Sequence, residues 1–306
     1  SEFEALGVQV EAIALDVSVE SEVSDLMNRF RKDKTVVRGI FHAAMVLEDG
    51  FLSGLKPSSV EKTFAPKTMG AHLLHRHALE LDLDHFVMLS SVSPILGNPG
   101  QAAYSAANTF LDELAHYRHR HGLQATSINL GLLRDAGVMK GRQKTLDTLM
   151  SAGVAGLTAD EALDGIGRAI NSNLPQVGVF RMDWRMWRSN FTAASRDTLL
   201  SGCFGDGDPI RDQHSRPAVA KILSRPAGQQ KAALTQLIGK QVAPYLKASG
   251  TTLDLDSLSV VELVLQLNRN FGVGLGPADF AANPGIPDLA DLVLARLREQ
   301  ADARKL

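Results

Sequence analysis

The stretch HFVMLSSVSPILGNPGQAAYSAANTFL, residues 85–111, decides the fold. Its first seven residues are nearly all apolar and end in two serines, the pattern of a strand buried on both faces. Small residues, glycines and prolines follow, and then an alanine-rich helical pattern that runs through Tyr104 and is closed by Gly122. The same unit recurs on either side. Residues 8–17, VQVEAIALDV, read as a strand ending near Asp16, with the amphipathic helix VESEVSDLMNRFRK after it. VVRGIFHAA (36–44) reads as a strand, and residues 57–81 as one helix started by Ser58 or Ser59. QATSINLGLL (124–133) is a strand, residues 158–173 a helix capped by Thr158, and QVGVFRMDW (176–184) a last strand. Strands buried on both faces that alternate with helices predict an α/β, doubly wound parallel sheet. Ligands of such sheets sit beyond the carboxyl ends of the strands, where Asp16, His42 to Met45, Ser91 and Asn129 all fall.

The rest of the chain differs. Residues 191–227 are rich in glycine, proline and charge and read as a linker. Three amphipathic helices follow within residues 228–303, a small all-α helical bundle. Of 306 residues 44% are apolar, enough for two cores, and a net charge of −2 gives no bulk attraction to nucleic acid. Lone Cys203 cannot form an internal disulfide, which favours a reducing, cytoplasmic compartment. No apolar run approaches membrane-spanning length.

Tyr104 raises the chemical question. A serine at a strand end with a tyrosine 13 residues on suits hydride reduction of a carbonyl. In that chemistry the serine holds the oxygen and the tyrosine protonates it. A tyrosine needs a neighbouring cation to relay protons near neutral pH, yet Asn108, not a lysine, stands one turn later. Taken alone, Tyr104 could be a packed helical residue, Ser91 a turn residue and Lys67 a solvated charge.

Four spaced elements together resemble the ketoreductases of modular polyketide synthases and animal-type fatty acid synthases. In that branch of the short-chain dehydrogenases, lysine and asparagine have exchanged places. APKTMGA (65–71) is similar to the family's R-P-K-x-x-G-A, FHAAMVLEDG (41–50) to its VHAAGVLDDG, and ALDVS (14–18) to its ACDVA. The resemblance covers residues 1–190 and implies a Rossmann-like fold with Lys67, Ser91, Tyr104 and Asn108 as the catalytic set, Lys67 depressing the pKa of Tyr104. It implies NADPH as cofactor, held by Asp16, Val17, His42, Ala43, Ala44 and Asn129. LED (47–49) resembles the LDD of B-type ketoreductases, and Leu96 stands where A-type enzymes have tryptophan. Asp49 and Leu96 are therefore expected to control stereochemistry, towards a D-configured 3-hydroxyl. The family's glycine-rich phosphate loop, T-G-G-x-G-x-x-G, is not in the sequence, so the nucleotide domain is expected to be N-terminally incomplete. Met45 replaces a family glycine and Leu130 a tryptophan.

LDLDSLSVVELV (253–264) resembles the acyl carrier motif G-x-D-S-L-x-x-V-E-L, which implies 4′-phosphopantetheine on Ser257, at a helix start where a phosphodiester is favoured. The alternative at this position is a simple N-cap at Asp256 or Ser257. The loop ASGTTLDL (248–255) is short for the family, and GVGLG (272–276) reads as a plain loop. The resemblance implies reduction of a carrier-bound 3-oxoacyl thioester within a synthase that is homodimeric. Its partners would be ketosynthase and acyltransferase domains and a phosphopantetheinyl transferase. The alternative is a carrier and interaction module whose reductase part is inactive in this chain. The histidines of HLLHRH (72–77) and HYRHRH (116–121) alternate with arginine and read as solvated helix faces; no metal is expected.

Overall fold

The structure is a computed structural model and describes residues 5–50, 52–98, 100–137, 143–190, 200–203, 217–243, 257–280 and 284–303. In chain order the first region holds α1 (Glu20–Lys32), β1 (Gly39–His42), α2 (Pro57–Phe64), α3 (Gly70–Ala78) and β2 (His85–Ser91). There follow a short α4 (Ser93–Leu96), α5 (Ala102–Arg120), β3 (Thr126–Leu130), α6 (Gln143–Ser151) and β4 (Val154–Ala155). It closes with α7 (Ala159–Asn171), β5 (Gln176–Val179), β6 (Arg181–Met182) and α8 (Trp184–Asn190).

Strands β1-β2-β3-β5 pair in that order, each pair parallel. Along β2 the side chains alternate between two dry faces. Phe86 and Met88 pack with Leu111, Leu114 and Ala115 of α5 and Ala71 of α3. Val87 and Leu89 pack on the other face with Ile128 and with Ala169 of α7. Burial on both faces is what made this strand an unbroken apolar run. The registers set the carboxyl ends level: Ser90 lies beside Asn129 and Ser91 beside Leu130.

Several expectations change. Residues 8–16 pair with no described strand, and Val8, Val10 and Ile13 are exposed, because no described strand lies beside them. The strand expected over 36–44 shortens to Gly39–His42, and that over 124–133 to Thr126–Leu130. The strand expected over 176–184 divides at Phe180: β5 joins the parallel sheet, whereas β6 pairs antiparallel with β4. The helix expected over 57–81 starts at Pro57, whose missing N–H suits a first turn, with Lys56 and not a serine at the cap. It is interrupted by a π-helical turn, Ala65–Met69, with Pro66 at its start. Thr158 caps α7 as expected, in a reciprocal capping box with Glu161.

The second region comprises α9 (Pro217–Leu223), α10 (Ala227–Val242), α11 (Ser257–Phe271) and α12 (Ile286–Ala303). Leu234, Ile238, Val260, Leu263, Leu267, Phe280 and Val293 form its core. α9 lies within the stretch read as linker, yet its Ile222 is part of that core. Residues 272–276 are a loop, as read, held by Asn268, whose Nδ2 donates to Leu275 O (2.8 Å) while Leu275 N donates to Asn268 Oδ1 (2.7 Å). Asp256 and loop 248–255 lie outside the described residues.

Candidate active site

Ser91 ends β2, and Tyr104, Asn108 and Asp112 follow one another at helical i, i+4 and i+8 along the face of α5 that meets β2 and β3. Lys67 comes from the π-helical turn, a distortion frequent where a helix must re-aim a side chain. It is 2% exposed; its Nζ donates to Leu89 O (2.9 Å) and lies 5.6 Å from the centre of the Tyr104 ring. Gly70 makes the turn possible: a Cβ there would stand 2.8 Å from the Val17 side chain. Lys67, Ser91, Tyr104 and Asn108 therefore converge beyond the carboxyl end of β2.

Burial governs the electrostatics. It pushes the Lys67 ammonium down to about 8, opposed by the charge of Asp112. It also pushes the Tyr104 phenol up, with hydrogen bonds from Asn108 and Ser91 opposing and the charge of Asp49 adding to the rise. The expected depression of Tyr104 by Lys67 is not met, since desolvation outweighs the bonds that favour the phenolate. The result is a tyrosine that keeps its proton and an ammonium poised near neutral pH, a sound pairing for a donor and its resupply.

Beneath these groups lies a polar network that the motifs did not reveal. Asp112 Oδ1 accepts from Ser127 Oγ (2.6 Å) and Oδ2 from Asn129 Nδ2 (2.9 Å). Asn129 Nδ2 also lies 2.9 Å from Ser91 O and 3.1 Å from Ser90 Oγ, and Ser90 Oγ donates to the carbonyl of Asn108 (3.3 Å). Gln176 Nε2 donates to Asn129 Oδ1 (2.9 Å). Asn129 was expected to hold the cofactor; its side chain is instead fully buried and engaged in tying β2, β3 and α5 together. Asp112 carried a signal, being a carboxylate on the sheet-facing side of α5 two turns from Tyr104.

The other expected cofactor residues are more scattered. Ala43 is exposed and Ala44 half-buried, leaving the end of β1 uncrowded. Asp16 is exposed; its Oδ1 accepts from Ser18 N (2.8 Å) and Ser18 Oγ (2.6 Å), which holds its carboxyl below the usual range. His42 is buried, and burial and then the Lys67 charge push it down to about 4. Its side chain thus faces the π-helical turn from within. His42 Nε2 and Asn108 Oδ1 are buried with no hydrogen-bond partner among the described residues, which fits a site made for polar ligand groups. For a dinucleotide the fit is therefore good at the reacting end, while the glycine-rich pattern that cradles a pyrophosphate is not in the sequence.

The histidine-arginine runs are not solvated throughout. Arg118 is 2% exposed, with its guanidinium 4.0 Å over the Phe86 ring, Nε donating to Gln124 O (3.0 Å) and Nη1 2.9 Å from Nδ1 of buried His75. His119 and His121 are bonded to the carbonyls of Ala125 and Tyr117. A stacked, hydrogen-bonded arginine looks like a surface residue in one dimension only.

A parallel doubly wound sheet with serine, tyrosine and lysine gathered at its carboxyl edge has the Rossmann-like fold of the short-chain dehydrogenase class. Residues 1–135 match the KR domain family and residues 246–293 the phosphopantetheine attachment site. The chain is 36% identical, over 88% of its length, to the polyketide synthase GfsA of Streptomyces halstedii. It is 30% identical, over its whole length, to the phenolphthiocerol synthesis polyketide synthase type I Pks15/1 of Mycobacterium marinum. It spans 4% of the first relative and 16% of the second. Among solved structures it resembles an A1-type ketoreductase (TM-score 0.61, 30% identity, 65% of this chain and 42% of that one). It also resembles the first ketoreductase of the tylosin synthase (TM-score 0.55, 32% identity, 63% and 41%). The chain thus holds a KR-domain region followed by a carrier region, the ketoreductase–carrier arrangement of type I polyketide synthases. The cofactors of these two domain types are NADPH and 4′-phosphopantetheine.

Proposed function

We propose that this chain reduces a 3-oxoacyl thioester carried on its own Ser257 to the 3-hydroxyacyl thioester. The single observation that carries the reading is the convergence of Lys67, Ser91 and Tyr104 beyond β2, with Lys67 tuned to about 8 beside a tyrosine held neutral. NADPH, when bound, supplies a hydride to the carbonyl carbon. Ser91 and Tyr104 hold the carbonyl oxygen, Tyr104 gives it the proton, and Lys67 restores that proton. Asn108 keeps α5 in place through Nδ2 donating to Tyr104 O (2.8 Å). Ala43, Ala44 and Asp16 are the residues that would border the dinucleotide. Asp49 and Leu96 set the face of attack, giving a D-configured alcohol, which chiral chromatography of the product checks.

Ser257 opens α11, where a helix N-terminus favours a phosphodiester. A thioester on a flexible arm reaches a neighbouring active site at high effective concentration. Ketosynthase, acyltransferase and phosphopantetheinyl transferase partners, a homodimeric assembly and a cytoplasmic setting belong to the same reading; among the described residues no helix is long and apolar enough to cross a membrane. Intact mass after treatment with coenzyme A and a phosphopantetheinyl transferase tests the carrier: a gain matching the arm, lost in Ser257→Ala, supports it, and no gain sinks it.

A second reading has its own observation. With no glycine-rich loop in the sequence and the outer edge of β1 unpaired among the described residues, these 306 residues by themselves would act as a carrier module with little turnover. NADPH titration separates the two: tight binding and ordinary turnover by the isolated chain would exclude this second reading.

A further inference from the structure

A chain of hydrogen bonds leads from Ser91 away from the catalytic groups. Ser93 N donates to Ser91 Oγ (3.1 Å), and Ser91 Oγ donates to Ser93 Oγ (3.0 Å). Ser93 Oγ donates to Gln101 Oε1 (3.2 Å), which also accepts from Asn98 Nδ2 (2.7 Å), and Gln101 Nε2 donates to Asp49 Oδ2 (3.0 Å). The ends of the chain are anchored by backbone. Gly50 N donates to Gly100 O (2.7 Å), and Gly100 holds φ +73°, a conformation that favours glycine. On the other side of the 47–49 loop, Ser59 Oγ donates to Glu48 Oε2 (3.3 Å). Ser93 is buried, whereas Gln101 is half-buried.

The direction of every proton in this chain follows from its outer end. An ionised carboxylate only accepts, so the Gln101 amide must turn its nitrogen to Asp49 and its oxygen to Ser93. That oxygen only accepts, so the Ser93 hydroxyl must donate to it and offer its lone pairs to Ser91. Ser91 is then the donor in its bond to Ser93, its one hydrogen shared between Ser93 Oγ and the Tyr104 phenol oxygen, while the Ser93 N–H fills a lone pair on Ser91. A hydroxyl that already accepts one bond is a better donor of the next. Ser91 is thus held as a donor, the role a carbonyl oxygen gaining negative charge requires.

We propose that Ser93 and Gln101 are positioning residues that orient the Ser91 hydroxyl as a donor and couple it to the Asp49 loop. The inference rests on the ketoreductase reading above. When substrate arrives, the Ser91 hydrogen turns from Ser93 Oγ to the substrate oxygen, and the Ser93 N–H bond stays in place. No covalent bond changes. The loop that sets the face of attack and the serine that holds the oxygen then respond to one another.

The test compares wild type, Ser93→Ala, Ser93→Thr and Gln101→Leu in the intact polypeptide that carries this chain, with NADPH and a 3-oxoacyl N-acetylcysteamine thioester. With Ser93 Oγ absent, the relay no longer confines the Ser91 side chain to its reaction-ready rotamer, so Ser93→Ala should lower kcat about tenfold, with KM within about twofold. Ser93→Thr keeps the hydroxyl and should retain wild-type kcat. Gln101→Leu should lower kcat by about threefold and change the ratio of the two hydroxy epimers, which a packing role would leave alone. An amide spectrum adds a readout independent of turnover: the Ser93 N–H resonance should shift in Gln101→Leu. Unchanged kcat in Ser93→Ala, or equal losses in Ser93→Ala and Ser93→Thr, overturns the proposal. If Ser93→Ala does not fold, unchanged kcat and epimer ratio in Gln101→Leu overturn it. A wild type that never oxidises NADPH with the thioester overturns the ketoreductase reading and this inference with it, whereas active wild type with unaffected variants overturns this inference alone.

Discussion

Below Ser91 and Tyr104 the interior is polar, with Asp112, Ser127, Asn129, Ser90 and Lys67 all buried and bonded to one another or to backbone. The carrier bundle is built the opposite way, from Leu234, Ile238, Leu263, Leu267 and Val293, with Asn268 as a buried polar clamp at its loop. A reaction centre must hold several charged or polar atoms at fixed distances, which apolar contacts alone cannot do. A carrier has to present one residue at a helix end, and close packing suffices for that.

Tyr104→Phe strikes the polar side at its chemical point. It should lower reduction by roughly 10²–10⁴-fold in an NADPH oxidation assay while cofactor affinity stays within a few-fold. Leu263→Ala strikes the apolar side. It should cost about 2–5 kcal/mol in the carrier's unfolding and leave the melting of the reductase region in place. A shared transition by calorimetry would break the contrast between two separate cores.

Acid should act on the reductase region first. His42 stays neutral in the folded protein down to about pH 4, whereas an unfolded histidine titrates near 6.5. Between those values the unfolded chain binds more protons, so stability is lost as pH falls from 6.5 to 4, by roughly 3 kcal/mol. Denaturant titrations across that range should show the loss, and His42→Gln should flatten it. The smallest effect is expected from Asn129→Leu, about 2 kcal/mol, since Asp112 and Ser90 keep other partners. If it costs nothing by urea denaturation, the polar network is not a stability element.

Where burial is even along an element, as in β2, the order of residues alone located it, and Thr158 announced its helix through local capping chemistry. Lys67, Ser91, Tyr104 and Asn108 were found from spacing because each is tied to the start or end of such an element. What escaped notice depended on partners distant in sequence. Arg118 reads as a surface charge until Phe86 and His75 surround it. Asn129 reads as a ligand of the cofactor until Asp112 and Gln176 occupy its amide. Residues 8–16 have the alternation of a strand, but alternation states which face is apolar and not whether a neighbouring strand exists to pair. Ile222 looked like linker because the glycines and prolines on either side of it dominate the local composition.

The π-helical turn at Ala65–Met69 acts as a phase shifter. One residue more than an α-helix needs is wound into that turn, so the face of α3 is rotated by about 100° relative to a straight continuation of α2. That rotation brings Ala71, Leu73 and Ala78 onto the core and leaves Lys67 at the bend. Deleting one residue beside Lys67 would let the turn close as ordinary α-helix with the face of α3 still on the core, so the segment would fold but lose the bend that aims Lys67.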